Sequence, residues 1–247
     1  MLQKNTSGLY TSTILSSLTG ITHGFSTRTF GDARNMKNRK RILASTGLPS
    51  ARLVWQKQVH GIAVGLVDEM SCGDTIPDTD ALVFADGRVG SGVSPILSVH
   101  TADCVPMLFV DPAARILAVA HAGWRGTIFS LASHSVRAMV KHGARRDRII
   151  VTIGPHIGAC CYNVPHERAR RFLVNDRYTR AISMRQGQWY LDLASVNTAQ
   201  MVDAGISADH IDGSNYCTSC RVDEFFSYRK DTGETYGEIM GFIAFTA

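Results

Sequence analysis

Nowhere in the 247 residues do apolar side chains run unbroken for the roughly 18 positions of a membrane-spanning helix, so no transmembrane segment is expected. The first 20 residues hold one lysine and a short, broken apolar run, without the continuous hydrophobic stretch of an export signal. That pattern predicts a cytoplasmic protein. GxGxxG and P-loop signatures are both missing, which argues against a dinucleotide- or nucleoside-triphosphate-binding fold. The nine histidines include no HxH pair, the usual building block of multi-histidine copper clusters. Six cysteines are an even number, but the chain length and the missing export signal argue against a disulfide framework. No repeat, low-complexity tract or shift of composition marks a linker. Residues 1–247 therefore read as one domain, with 1–19 as a lead-in strand or loop.

What is present is ordinary in bulk. Hydrophobic residues make up 45% of the chain, enough for a sizeable core. The formal net charge is +5, which suits a phosphate-bearing substrate, but the basic residues are scattered. Their densest run, Arg34, Lys37, Arg39, Lys40 and Arg41, lies on an amphipathic helix expected over 35–46. A solvated helix face is the simplest reading of that run, so neither a nucleic-acid nor a membrane partner is expected.

Hydrophobic patterning predicts strands over 21–27, 53–56, 62–67, 80–84, 93–99, 105–110, 116–120, 148–153, 189–191 and 238–245. A turn is expected over 87–92 and a loop over 68–79. Helices are expected over 35–46, 127–142, 165–174 and 193–204, the last capped by Asp192 and stopped by Gly205. Strands outnumber helices and come in runs broken by single helices. That order predicts an α+β fold, a single domain with a mixed β-sheet core flanked by helices.

The stretch from His100 to Thr127 carries the chemistry. Two apolar strands, 105–110 and 116–120, are joined by a turn at Asp111-Pro112, so a hairpin brings Cys104 and His121 to one edge of a sheet. Gly123 and Gly126 then let the chain turn into a helix that Thr127 can cap. A helix N-terminus beside a Cys/His pair is a good place for an anion. His60, next to Gly61 between two strands, completes a set of two imidazoles and one thiolate. Such a set suits Zn²⁺, and three protein ligands leave a position open for catalysis. Asp103 beside the thiolate is a candidate base or supporting partner, although in a regular strand its side chain would point away from that of Cys104. The same atoms serve equally without metal, with Cys104 as nucleophile and a histidine as its base. A buried cysteine with two unrelated histidines is the plainest alternative. Arg28, at the end of an early strand, reads on position alone as a surface arginine. Cys160 and Cys161 are adjacent, a spacing that does not favour chelating one ion together or bonding to each other, and read as one core and one cleft-facing residue. Cys217 and Cys220 form a single CxxC with no further ligands after it, so a structural use is expected.

Several segments of the chain occur in the order of one known family. They are Gln58-Val59-His60-Gly61, Thr101-Ala102-Asp103-Cys104-Val105-Pro106, Ala120-His121-Ala122-Gly123-Trp124-Arg125-Gly126, Ile153-Gly154-Pro155, Cys161-Tyr162, Cys217-Thr218 and Phe225-Phe226-Ser227-Tyr228-Arg229. From about residue 20 the chain resembles the YfiH family, also called the polyphenol oxidase or laccase-domain family and the peptidoglycan editing factor family. The resemblance implies a single domain with a mixed β-core and a zinc ion held by His60, Cys104 and His121. It also implies phosphorolysis of adenosine or inosine to the free base and ribose 1-phosphate, with adenosine deamination and methylthioadenosine phosphorolysis as related activities. Arg28 matches the family's strand-end arginine and would face phosphate. Just after it the chain departs from the family, with Thr29-Phe30-Gly31-Asp32-Ala33 in place of a glycine-rich turn and a longer loop.

The expected protein is thus a zinc enzyme acting on purine nucleoside and phosphate, as a monomer or homodimer. Cys104, Asp103 and Arg28 are its candidate catalytic residues, and Arg28, Trp124, Arg125, Gly126 and Thr127 its candidate substrate contacts. The alternative is a cysteine hydrolase trimming mis-made cell-wall precursor peptides. Copper is an alternative occupant of the metal site, but the missing HxH pairs argue against laccase chemistry. A non-enzymatic binding protein is the remaining reading.

Overall fold

Successive side chains along a strand point to opposite faces, and that alternation sorts the core into layers. In the strand Ile96–Thr101, Ile96 packs with Ile42 and Leu43 of a helix, whereas Leu97 and Val99 pack against Leu108, Val110, Leu117 and Val119 of a second sheet. In that second sheet, Val105, Met107 and Phe109 of the strand Val105–Asp111 face the other way, toward Leu131, Val136 and Met139 of another helix. The result is a stack of helix, sheet, sheet and helices, a mixed α+β single domain. The computed structural model describes residues 1–85 and 94–246. The turn expected over 87–92, and Val93 at the head of a strand, lie outside the described residues.

The first sheet has seven strands, ordered Leu2–Lys4, Tyr10–Ser12, Ile21–Phe25, Ile239–Phe245, Ile96–Thr101, Leu53–Gln56 and Thr75–Ile76. The second has six, ordered Ile211–Asp212, Ile150–Ile153, Val105–Asp111, Ile116–Ala122, Ala81–Ala85 and Val64–Val67. Both mix parallel and antiparallel pairs. A third, antiparallel sheet joins Asn163–Val164, Gln188–Leu191 and Ile182–Arg185. Residues 1–19 are no mere lead-in: their hairpin forms one edge of the seven-stranded sheet, with Leu2, Tyr10 and Leu15 buried in the core.

The helix expected over 127–142 is two. Trp124–Ile128 ends before Ser130, which takes a left-handed conformation (φ 63°), and Leu131–Lys141 then runs across the six-stranded sheet. Two attachments require the break. Leu131, Ala132, Val136 and Met139 must lie on the sheet, while the carbonyl of Thr127 is held by Gln200 Nε2 at 2.7 Å. The helix expected over 35–46 forms as Met36–Ala44, capped by Asn35, whose side chain accepts from the Lys37 N–H at 2.9 Å. Arg39 does not share its solvated face. It is buried, bonded to the Ala33 carbonyl and stacked 4.7 Å from the Trp55 ring centroid.

Candidate metal centre and its cavity

The chain passes from the seven-stranded to the six-stranded sheet at three places, and each passage contributes to one site. The segment between Leu53–Gln56 and Val64–Val67 carries His60. The short link from Thr75–Ile76 to Ala81–Ala85 carries Asp80, and the bend between Ile96–Thr101 and Val105–Asp111 carries Asp103 and Cys104. The hairpin register supplies the last member, because His121 stands opposite Pro106 and Ala122 opposite Val105, next to Cys104. One donor atom each from His60, Cys104 and His121 lie within 4.8 Å of one another.

Asp80 holds this arrangement. Its carboxylate accepts the backbone N–H groups of Val59, His60 and Gly61 at 3.2, 2.9 and 2.7 Å, and the His121 Nδ1 proton at 2.8 Å. Three N–H groups turned toward one carboxylate explain how His60 is kept at φ 60°, a conformation that side chains seldom adopt. The bond to Nδ1 leaves Nε2 of His121 as the free ligand atom, the usual support of a metal-binding imidazole. Burial pushes the Asp80 carboxyl up, but the His121 contact and the N–H groups of Gly61 and Val59 hold it below the usual range.

The thiol of Cys104 is tuned in the same way. Burial would raise it, yet the neighbouring His121 and His60 bring it down to about 7. His121 is raised to about 10: burial opposes its charge, but the Cys104 sulfur and the Asp80 carboxylate favour it more. These groups fit a metal ion. Two imidazoles and a readily formed thiolate converge, their supporting carboxylate is in place, and Gly123 leaves the space open. A Cβ on Gly123 would stand 3.0 Å from His60 Cδ2 and 3.1 Å from Cys104 Sγ.

The triad faces a cavity of about 700 Å³. Trp55, Trp124, Tyr162, Tyr228 and Tyr236 supply aromatic surface, and Arg39, Arg125, Arg168 and Arg229 supply positive charge. Arg168 and Arg125 lie 4.5 and 5.2 Å from the Trp124 ring centroid, and neither forms an ion pair among the described residues. His100 is 5% exposed, and its Nε2 has no protein partner. Burial, with Arg39 nearby, pushes His100 down to about 3, so it stands neutral in the cavity wall.

The sequence-nominated residues divide. Trp124 and Arg125 line the cavity. Gly126 and Thr127 are buried behind it, and Thr127 caps no helix: Gly123 holds the N-cap position, while Thr127 Oγ1 accepts from Asn197 Nδ2 at 3.0 Å. Arg28 is outside the lining. Its Nη2 donates to both carboxylate oxygens of Asp231 at 2.7 and 2.8 Å and to the Phe225 carbonyl, and its guanidinium stacks on Phe226. Asp103 (φ 84°) reaches the lining, but its carboxylate is committed to Thr218 Oγ1, Ser227 Oγ and the Arg229 N–H at 2.6, 3.1 and 2.7 Å. Burial pushes that carboxyl up, against these hydrogen bonds. Four cysteines expected to act separately come together instead: the sulfurs of Cys160, Cys161, Cys217 and Cys220 lie within 4.8 Å of one another. Asp80, Arg39, His100 and Arg229 escaped the sequence reading. Asp80 had a signal as a carboxylate heading an apolar strand, Arg229 as the last residue of a family segment and His100 as the head of the chemical stretch.

This fold and this site belong to a known family. The chain is a member of the family described as multi-copper polyphenol oxidoreductase laccase, whose model matches residues 24–246. Among its relatives is the purine nucleoside phosphorylase YlmD of Geobacillus stearothermophilus, 37% identical over 221 residues, which cover 86% of this chain and 80% of that protein. Adenosine deaminase RL5, from an unknown prokaryotic organism, is 34% identical over 212 residues, 82% of this chain and 80% of the relative. The crystal structure of YlmD from G. stearothermophilus superposes with a TM-score of 0.86 at 29% identity, covering 100% of this chain and 99% of that one. Among the described residues no helix is long and apolar enough to cross a membrane.

Proposed function

We propose that the protein is a zinc-dependent purine nucleoside phosphorylase, cleaving adenosine or inosine with phosphate to give the base and ribose 1-phosphate. The observation that carries the reading is one cavity joining the His60–Cys104–His121 triad to aromatic walls and to two arginines, Arg125 and Arg168, without ion pairs among the described residues. The relatives named purine nucleoside phosphorylase support the same choice.

The reaction makes a bond from a phosphate oxygen to C1′ as the C1′–N9 bond breaks. The purine leaves with the electron pair and takes up a proton. Positioning the phosphate is the first requirement, and a pair of guanidinium groups beside Trp124 answers it, since charge-assisted bonds from arginine to phosphate are strong and directional. Planar purine needs flat apolar surface, which the tryptophans and tyrosines of the lining offer. His100, neutral and with a free Nε2, can accept a hydrogen bond from a nucleoside hydroxyl or amino group. Zinc held by His60, Cys104 and His121 would supply a Lewis acid for negative charge developing in the cavity. In this reading Asp103 positions the segment 218–229 through the Thr218 and Ser227 hydroxyls and the Arg229 N–H and is not the base, and Arg28 fastens that segment from behind.

Adenosine deamination is the second reading, favoured by the relative named adenosine deaminase. One experiment separates these possibilities. Protein purified without added metal is analysed for bound elements beside Cys104→Ala, and both are given adenosine with and without phosphate. Loss of one zinc equivalent in the variant, together with loss of phosphate-dependent adenine release, supports phosphorolysis. Inosine formed without phosphate makes deamination the main reaction. Methylthioadenosine in the same assay reads the related phosphorolysis. Copper in place of zinc, with phenol oxidation, would overturn the proposal, as would metal-free protein that cleaves a cell-wall peptide through Cys104.

A further inference from the structure

The four-cysteine cluster takes no part in that reaction, and its cysteines lie outside the cavity lining. Cys160 and Cys161 sit on the turn after Ile157, and Cys217 and Cys220 on a turn late in the chain. Cys161 Sγ lies 3.3 Å from Cys220 Sγ, and Cys160 Sγ lies 3.5 Å from it. All four are free thiols. With metal–sulfur bonds of about 2.3 Å, a tetrahedral zinc ion sets its four sulfurs roughly 3.8 Å apart. Two of the cluster's spacings lie close to that value and all four sulfurs are within 4.8 Å of one another, and it supplies four ligands of the type that structural zinc sites use.

Two further observations point to a ligand here. The Gly158 N–H donates to Cys217 Sγ at 3.3 Å, as backbone N–H groups do toward ligating thiolates. Gly158 itself leaves room, because a Cβ there would meet Cys160 Sγ at 3.2 Å and Cys217 Cβ at 3.4 Å. The surroundings are also cationic. Arg185 and Arg229 bind the carbonyls of Ala159 and Cys161, which places guanidinium charge beside the four sulfurs.

We propose that Cys160, Cys161, Cys217 and Cys220 hold a second zinc ion in a closed structural site. Four protein ligands leave no open position, so this ion serves the fold and not the chemistry. It would fasten two turns that both reach the cavity wall. From the first turn, the Ile157 N–H donates to the Asp103 carbonyl at 2.9 Å, and Tyr162 lines the cavity. From the second, Thr218, next to Cys217, donates to Asp103 Oδ1.

The test counts zinc in wild type, Cys104→Ala and the double variant Cys217→Ser/Cys220→Ser, all purified under reducing conditions without added metal. Two equivalents in wild type and one in each variant are expected, with a lower Tm for the double variant only. Should the double variant fail to fold, Cys104→Ala loaded with cobalt decides alone: intense sulfur-to-cobalt absorption of a tetrahedral thiolate site is expected. No zinc and no such absorption in Cys104→Ala would overturn the proposal, and so would a disulfide among these cysteines in the reduced preparation. Failure of the catalytic zinc reading looks different: wild type and Cys104→Ala would then carry equal zinc.

Discussion

Asp80 Oδ1 accepts the Nδ1 proton of His121 at 2.8 Å while the same carboxylate binds the backbone of residues 59–61. One side chain therefore fixes two of the three triad members, His60 through its main chain and His121 through its ring. Asp80 can do so because its own link and the one bearing His60 both pass between the two sheets. Asp80→Asn keeps the volume but loses the charge, and its amide cannot accept from all four donors. Metal affinity should fall about 10- to 100-fold, the usual cost of losing a supporting partner of a ligating histidine. Zinc competition against a chromophoric chelator measures it. Unchanged affinity would show that Asp80 serves the fold alone.

Gly123 offers a steric test of the same centre. Its φ is −72°, so alanine brings no backbone strain, only a Cβ against His60 and Cys104. Gly123→Ala should lower metal content and activity together while Tm moves by a few degrees at most, since small shifts of ligating atoms cost far more in binding than in folding. Elemental analysis and a thermal melt on one preparation check this. Full metal loading in the variant would mean that His60 swings aside freely.

Much of this centre is legible in the sequence. The hairpin can be read because two apolar runs flank Asp111-Pro112, and its register carries His121 to the end that holds Cys104. The alternation of Leu108 and Val110 with Met107 and Phe109 marks a strand buried on both faces. Other features depend on long-range pairing. Asp80 meets residues 59–61 only because parallel pairing sets Val64 opposite Ala81. Arg39 looks like one more cation of a solvated helix, and only its position over Trp55 turns it inward. The CxxC at 217–220 has no companion ligands downstream, because they lie about 60 residues earlier in the chain. Arg28 has the motif position of a phosphate ligand, but its Nη2 is taken by Asp231 and the Phe225 carbonyl and its Nη1 by the Thr235 carbonyl.

The anion subsite is tested by the two arginines beside Trp124. Removing one guanidinium from phosphate forfeits a charged hydrogen bond worth about 1.5–3 kcal/mol, or roughly ten- to a hundredfold in binding. Arg125→Gln and Arg168→Gln should each raise KM for phosphate by that factor and leave KM for the nucleoside nearly unchanged. Zinc content should stay as in wild type, because neither residue touches the triad's donors. Steady-state kinetics with phosphate varied at saturating adenosine make the measurement. Equal changes in both KM values would point to a collapsed cavity wall instead.

His23 links a buried hydrogen bond to acid stability. It is 5% exposed, and the Ser12 N–H donates to its Nε2 at 2.8 Å, so the ring is needed in its neutral form. Burial pushes it down to about 4, although the Ser12 contact and nearby Asp212 act the other way. In the unfolded chain a histidine takes up its proton below about pH 6.5. Between pH 6.5 and 4 the unfolded state therefore binds the extra proton, and stability must fall as pH falls. At about 1.4 kcal/mol per pH unit, His23 alone should cost about 2 kcal/mol between pH 7 and pH 5. His23→Gln retains an acceptor for the Ser12 N–H but cannot take a proton, so the variant should lose that much less over the same interval. Urea unfolding of both proteins at the two pH values reads the difference directly. His100, also neutral and buried, contributes equally to both and cancels, so parallel losses in the two proteins would mean that His23 is protonated in the native state.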